Sequence, residues 1–361
     1  MENLEITPLT TWHRENGAKM APFAGFDMPV QYKGIIVEHK HTRTKAGIFD
    51  ICHMGEFALA GSGAQDALNK IVSHDLNTLS PGKCRYGFLL NESSGINDDL
   101  IIYCLADDEY MLVVNGSCRE KDYNHIAANL PDELAFTDIS DQTGKIDIQG
   151  PESLEVLNSL MGEKWNHLKY FNFETTEAFD YPMIISRTGY TGELGYELYL
   201  PSDKALEIWE KLVSDERVEP IGLGARDTLR LEIGYPLYGQ DLDEDHTPVE
   251  AGAGFFLKKE SEYIGKSGLG TVKESLIALT IDGRRTPRHH DEVLLSSGEK
   301  IGVVTSGSFA PSLGHCVALA YIKAEHADND IFTIKTARVE LEAKKSALPF
   351  YKDGTARNKV D

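Results

Sequence analysis

Three short strings hold the residue types that could do chemistry. In Ser94-Gly95-Ile96-Asn97-Asp98-Asp99-Leu100 two acids stand side by side just before the apolar run 101–105. Neighbouring side chains at the head of a strand project to opposite faces. One carboxylate can therefore enter a pocket while the other caps a turn or meets water. A pocket carboxylate orients an amine, takes its proton or stabilises a developing cation. The pair alone also fits a turn with two solvated acids.

The second string is Arg187-Thr188-Gly189-Tyr190-Thr191-Gly192-Glu193-Leu194-Gly195-Tyr196-Glu197. Its glycines imply a backbone that turns tightly or lets something approach closely. Tyr190 and Glu197 flank that approach, and a carboxylate accepts two parallel hydrogen bonds from a ring edge with adjacent N–H donors. A hairpin loop with a strand glutamate explains the same residues. The third string, Gly222-Leu223-Gly224-Ala225-Arg226-Asp227-Thr228, reads as a Gly-rich entry into a helix. A cation is disfavoured at a helix N-terminus, so Arg226 needs a specific partner, either a ligand or an acid of the chain itself. Neither G-x-G-x-x-G nor G-x-x-x-x-G-K-[ST] occurs, so phosphate-loop readings fail.

Other groups carry less. Asp241, Asp243 and Glu244 lack the spacing of a calcium loop and read as a solvated turn. His53 reads as a structural histidine, and His289 and His290 as exposed loop residues rather than ligands. No metal site is expected. The five cysteines, with no C-x-x-C, read as reduced thiols.

The elements that must position these residues follow from periodicity. Alternating or short apolar runs predict strands at 56–60, 98–104, 109–114, 145–148, 183–186 and 196–200. Three- and four-residue spacing predicts helices at 64–71, 117–127, 153–160, 204–213 and 225–233. Strands mixed with isolated helices indicate an α+β fold. After a charged, Gly- and Ser-containing stretch at 257–275, strands at 276–281, 293–295, 301–306, 317–322, 331–334 and 338–341 suggest a small antiparallel barrel or sandwich.

Length and composition set outer limits. The 361 residues, 41% hydrophobic and 26% charged, suit a globular protein of two or three domains. No apolar run approaches membrane-spanning length. The N-terminal MENLEITPLTTWH has neither a secretory nor a transit-peptide pattern, so a cytoplasmic location is expected. A net charge of −21 disfavours nucleic acid and anionic lipid as partners.

In order along the chain, these strings resemble the glycine-cleavage T-protein family nearly end to end. The resemblance starts with Thr7-Pro8-Leu9, Gly17-Ala18-Lys19-Met20, Phe23-Ala24-Gly25-Phe26 and Met28-Pro29-Val30-Gln31-Tyr32. It continues through Gly47-Ile48-Phe49-Asp50, His53-Met54-Gly55-Glu56-Phe57 and the three strings above. It closes with Thr305-Ser306-Gly307-Ser308-Phe309-Ala310-Pro311-Ser312-Leu313-Gly314 and Leu348-Pro349-Phe350-Tyr351.

The resemblance implies a three-domain cloverleaf around a central folate cavity: two α+β domains and a C-terminal small antiparallel β-barrel. The division expected is 1–52 plus 152–258 for a discontinuous folate-binding domain, 53–151 for the domain with the acid pair, and 274–361 for the barrel. It implies an aminomethyltransferase that moves the methylene carbon of the aminomethyl-lipoyl H protein to tetrahydrofolate, with release of ammonia. Asp99 would be the working carboxylate. Glu197 and Arg226 would bind tetrahydrofolate, with Tyr86, Asn115 and Tyr190 lining its pocket. Lipoylated H protein would be the partner.

The chain departs from the family's usual pattern at Ser94–Asn97, at Cys52 where serine is usual, and at Phe255 where tryptophan is common. Two alternatives are a folate-dependent demethylase of the same superfamily and a non-enzymatic folate-binding protein of iron–sulfur maintenance. No flavin domain is visible for the first. The second's cysteine string is missing at Gly234-Tyr235-Pro236-Leu237-Tyr238-Gly239-Gln240-Asp241.

Overall fold

The computed structural model describes residues 4–162 and 165–360; the outermost residues of the first and last expected domains therefore lie outside it. The apolar, β-branched run after the acid pair forms strand Ile96–Ala106, which turns through Asp108 at φ 55° into Glu109–Val114. These are two strands of a five-stranded antiparallel sheet ordered Lys83–Leu90, Ile96–Ala106, Glu109–Val114, Gly55–Ala60 and Ala135–Asp138. Alternate side chains Leu100, Ile102, Leu112 and Val114 bury one face beside Leu68 and Ile126, from helices Ala64–Asn69 and Arg119–Ala127.

A second sheet has six strands in the order Phe173–Ala178, Tyr181–Ser186, Gly195–Pro201, Thr143–Gln149, Ala46–Asp50 and Val218–Pro220. Only the last pair is parallel. Helices Ser153–Met161 and Ala205–Val213 supply Leu157 and Trp209 to its core, where they meet Ile146, Ile148 and Leu198. This sheet corrects one expected boundary: Thr143–Gln149, assigned by sequence to the middle domain, pairs with Gly195–Pro201 and Ala46–Asp50. Its second face is buried too, against the five-stranded sheet. The Tyr103 and Tyr199 hydroxyls meet at 2.9 Å there, and Cys84, Met111, Val113 and Phe173 pack around them.

The C-terminal strands close into a six-stranded antiparallel barrel filled by Leu279, Val293, Val304, Ile322, Phe332 and Ile334. Helix Leu223–Ile233 joins it to the rest. Arg230 on that helix reaches Asp241 Oδ2 at 2.7 Å and the Ser306 hydroxyl at 2.9 Å. On the same helix Glu232 pairs with Arg43 at 2.9 Å and His39 at 3.2 Å. The acid-rich connection is therefore not all solvated: Asp241 is fully buried because Arg230 needs an anion there.

Candidate functional site

Asp98 and Asp99 open one strand, with Asp99 opposite Phe88 and Asp98 opposite Leu89. The register then skips Asn97, a bulge that re-aims the strand end. Gly95 sits just before it, where a Cβ would lie 1.7 Å from the Glu244 carbonyl oxygen, so only glycine fits. Asp99 is half-buried. The Tyr86 hydroxyl donates to its Oδ2 at 3.0 Å and Asn115 Nδ2 to its Oδ1 at 2.9 Å.

Asp98 corrects the expectation that the second acid caps a turn or meets water. It is fully buried, accepting the Asn115 backbone N–H at 2.9 Å and its side-chain amide at 2.8 Å. A third acid, Asp122 on helix Arg119–Ala127, lies close by, with the Cys118 thiol beside both. Burial pushes the Asp122 carboxyl up to about 10, and repulsion from Asp98 adds to the rise. Asp122 therefore keeps its proton beside Asp98 at neutral pH. Burial followed by the Asp98 charge raises Asp99 to about 7, against the hydrogen bonds from Tyr86 and Asn115.

A second group of expected residues gathers on the six-stranded sheet. Glu197 lies opposite Asp147 in neighbouring strands. Lys145 Nζ is 3.1 Å from Glu197 Oε1, and the Thr188 hydroxyl donates to Oε2 at 2.5 Å. Burial would raise the Glu197 carboxyl, but Lys145, Thr188 and Arg226 outweigh it and hold it below the ordinary range.

Arg226, in the first turn of helix Leu223–Ile233, pairs with Asp147 Oδ2 at 2.8 Å. Its partner is thus an acid of the chain itself, and its guanidinium still lies over the Tyr190 ring at 5.0 Å. The close approach implied by the glycines is made by Gln149: a Cβ at Gly189 or Gly195 would lie 2.1–2.2 Å from its amide. That amide donates to the Thr188 carbonyl at 3.0 Å.

The two groups adjoin. Burial raises the Tyr190 phenol, Arg230 opposes, and the Asp99 carboxylate adds to the rise across the gap. Tyr190 donates its hydroxyl proton to the Pro236 carbonyl, which leaves its ring as the feature it offers. Phe256 packs edge-on against Tyr86 at 4.9 Å and Phe255 lies 64% exposed beside it, forming an aromatic lip.

His53 is buried edge-on against Phe23 at 5.3 Å, and desolvation lowers it to about 4. Lys145, Asp147, Gln149 and Asp122 were not singled out from sequence. The signal for the first three was polar residues at every second position of an otherwise apolar strand. An open cleft of about 680 Å³ between helix Ile35–Thr44 and the barrel, lined by Lys33, Lys40, His41 and Ser312, contains none of the six expected site residues.

The donors and acceptors suit a folate ring. A carboxylate held ionised faces the same region as an arginine, an aromatic face and a second carboxylate with no cation paired to it among the described residues. Comparison with known proteins points to one family. The model of the GCVT N-terminal domain matches residues 9–261, and that of the glycine cleavage T-protein C-terminal barrel domain matches 275–352. The aminomethyltransferase of Halothermothrix orenii is 42% identical over 357 residues, covering 96% of this chain and all of the relative. That of Flavobacterium psychrophilum is 42% identical over 360 residues, 97% of this chain and again all of the relative. The crystal structure of the glycine cleavage system aminomethyltransferase T from Bartonella henselae superposes with a TM-score of 0.92 at 33% identity, over 98% of this chain and 99% of that one. The chain belongs to the glycine cleavage T-protein family, the aminomethyltransferases.

Proposed function

We propose that this aminomethyltransferase takes the methylene carbon from the aminomethyl-lipoyl arm of an H protein and passes it to tetrahydrofolate, releasing ammonia, with Asp99 as the working carboxylate. The observation that carries the reading is Asp99 itself. It is a half-buried carboxyl raised to about 7 by burial and Asp98, oriented by Tyr86 and Asn115, with no cation paired to it among the described residues. A group with that affinity holds and releases a proton at neutral pH, which suits general acid–base work.

Bound tetrahydrofolate would supply the two nitrogens that take up the carbon, one in the pterin ring and one on the exocyclic amine beside it. As the carbon–nitrogen bond to ammonia breaks, the Asp99 carboxylate stabilises the positive charge developing on the carbon. The carbon–sulfur bond to the lipoyl arm breaks as the second nitrogen closes the methylene bridge. Asp99 would pass on the two displaced N–H protons, one to the leaving ammonia and one to the sulfur, which leaves as the dihydrolipoyl thiol. Asn115 and Tyr86 keep its oxygens aimed. Glu197 would accept the N–H edge of the ring, Arg226 would donate to a ring acceptor, and Tyr190 with the Phe256 lip would cover the aromatic faces. The five cysteines are all unpaired, which suits the reducing cytoplasm. No helix among the described residues is long and apolar enough to cross a membrane.

The test is direct. Aminomethyl-loaded H protein, tetrahydrofolate and the chain should yield equal amounts of ammonia and 5,10-methylenetetrahydrofolate. Tetrahydrofolate binding without turnover would overturn the enzymatic reading.

A further inference from the structure

Lys145 is 1% exposed, in the middle of the six-stranded sheet. Burying an ammonium is costly, and an apolar residue of similar size is often neutral or better for stability. Its Nζ makes few contacts: Glu197 Oε1 at 3.1 Å, the Met54 thioether at 3.1 Å, and the Tyr199 ring at 5.2 Å. A thioether is a weak acceptor and a ring face a modest attraction. Glu197 is thus the partner that justifies the cation. Strand register explains how they meet. Lys145 lies opposite Tyr199 and Glu197 opposite Asp147, so lysine reaches its partner on the diagonal, a span that long side chains bridge.

We infer that Lys145 is a positioning residue of the folate site, holding Glu197 as an aimed carboxylate so that it can accept the donor edge of the ring. The inference rests on the tetrahydrofolate reading above and adds a residue that reading did not use. Around Glu197 stand Lys145 and Asp147 on one neighbouring strand, Arg226 on the helix, and Tyr199 on its own strand. Glu56, Tyr103 and Cys84 face it from the five-stranded sheet. Lys145 and Arg226 are the cations of that set, and Arg226 is already paired with Asp147. Without Lys145, burial prevails at Glu197. Its carboxyl is then pushed up, and once protonated it presents an O–H where the ring presents N–H.

The experiment is anaerobic tetrahydrofolate binding by calorimetry from pH 6 to 9 for wild type, Lys145→Met, Lys145→Arg, Glu197→Gln and the double Lys145→Met/Glu197→Gln. Burial raises Asp99 and Asp147 to about 7 in wild type, and Lys145 lowers Asp147 while Glu197 raises it. The share of any pH dependence that belongs to Asp147 is therefore read from Glu197→Gln and the double variant at the same pH. Lys145→Met should weaken binding at least tenfold at pH 7, recovering to within threefold at pH 9 as Glu197 ionises. Lys145→Arg, which keeps a cation, should restore most of the loss. A Lys145→Met loss that is the same at every pH overturns the inference, as does no loss. Where Lys145→Met does not fold, the double variant decides. Binding equal to Glu197→Gln alone supports a role through Glu197, and a further loss beyond threefold overturns it. Failure of wild type to bind tetrahydrofolate would instead sink the functional reading.

Discussion

Asp98 and Asp99 share one amide: Asn115 Nδ2 lies 2.8 Å from Oδ1 of the first and 2.9 Å from Oδ1 of the second. Consecutive strand residues normally face apart, but an asparagine at the end of the adjacent strand reaches both. The two charges are thereby coupled, and Asp99 carries the consequence in its raised proton affinity.

Asp99→Asn should lower turnover by about 10²–10⁴, the usual worth of a positioned acid–base group, with tetrahydrofolate affinity little changed. Asp98→Asn acts differently. It removes the repulsion that helps hold Asp99 near 7. Asp99 works as a carboxylate, so kcat/KM should rise with pH through about 7 in wild type. The same limb should sit at lower pH in Asp98→Asn. pH–rate profiles of the three proteins check this, and an Asp98→Asn limb that stays put or moves up would refute the coupling.

Asp122 predicts a signature in stability rather than rate. Both of its carboxyl oxygens are buried without a donor among the described residues. Burial first, then Asp98, pushes it up to about 10. A folded-state value above the unfolded one, about 3.9, means its contribution is intact below about pH 4. That contribution is lost progressively as pH rises toward 10. Asp122→Asn keeps a neutral donor to Asp98 and removes the titration. Its melting temperature relative to wild type should climb steadily from pH 5 to pH 9. Parallel melting curves across that range would show that Asp122 is ionised in the folded protein.

Arg230 and Asp241 form the buried ion pair that seats the barrel, at 2.7 Å with neither side chain more than 1% exposed. Removing one partner of a buried pair costs about 3–5 kcal/mol where the other charge is left alone. The loss here should fall toward the lower end because Asp227 stays 2.8 Å from Arg230. Asp241→Ala strips Arg230, the Leu237 N–H and the Ser306 hydroxyl of a shared acceptor. Urea unfolding should register that loss, with protease cutting first in the 258–274 connection. An unchanged urea midpoint would mean that the barrel is held chiefly by Leu231, Val317, Leu319 and Phe350.

Much of this was legible in the sequence where one force dominates. The strand at 109–114 and the helices near 153 and 205 follow from periodicity alone, because each buries one clear face. The barrel strands were found for the same reason, and Tyr86, Asp99 and Asn115 do gather in one cluster. Strands such as Ala46–Asp50 and Lys83–Leu90 were missed, since burial on both faces erases the alternation. The charges of Lys145 and Asp147 looked like ordinary strand polarity. Only the covering sheet makes them interior residues. Asp241 misled for the opposite reason, as an acid-rich turn looks solvated until Arg230 arrives from a distant helix.

The last prediction concerns the H protein. A chain at −21 would need a local positive patch to meet any partner with a negative surface without long-range repulsion. Arg284, Arg285 and Arg288 are exposed on the barrel loop, and Arg284 lies over the Phe309 ring at 4.9 Å. Lys258, Lys259 and Lys266 lie upstream, but Lys259 is buried and donates to the Asn69 and Val72 carbonyls, so it adds nothing to the patch. Arg284→Glu with Arg285→Glu should raise KM for H protein several-fold at low salt, where screening is weakest, and leave kcat near wild type. The difference should shrink as ionic strength rises. A change confined to folates with long polyglutamate tails would assign the loop to the tail instead. Wild-type constants at low salt for both substrates would leave the loop as surface alone.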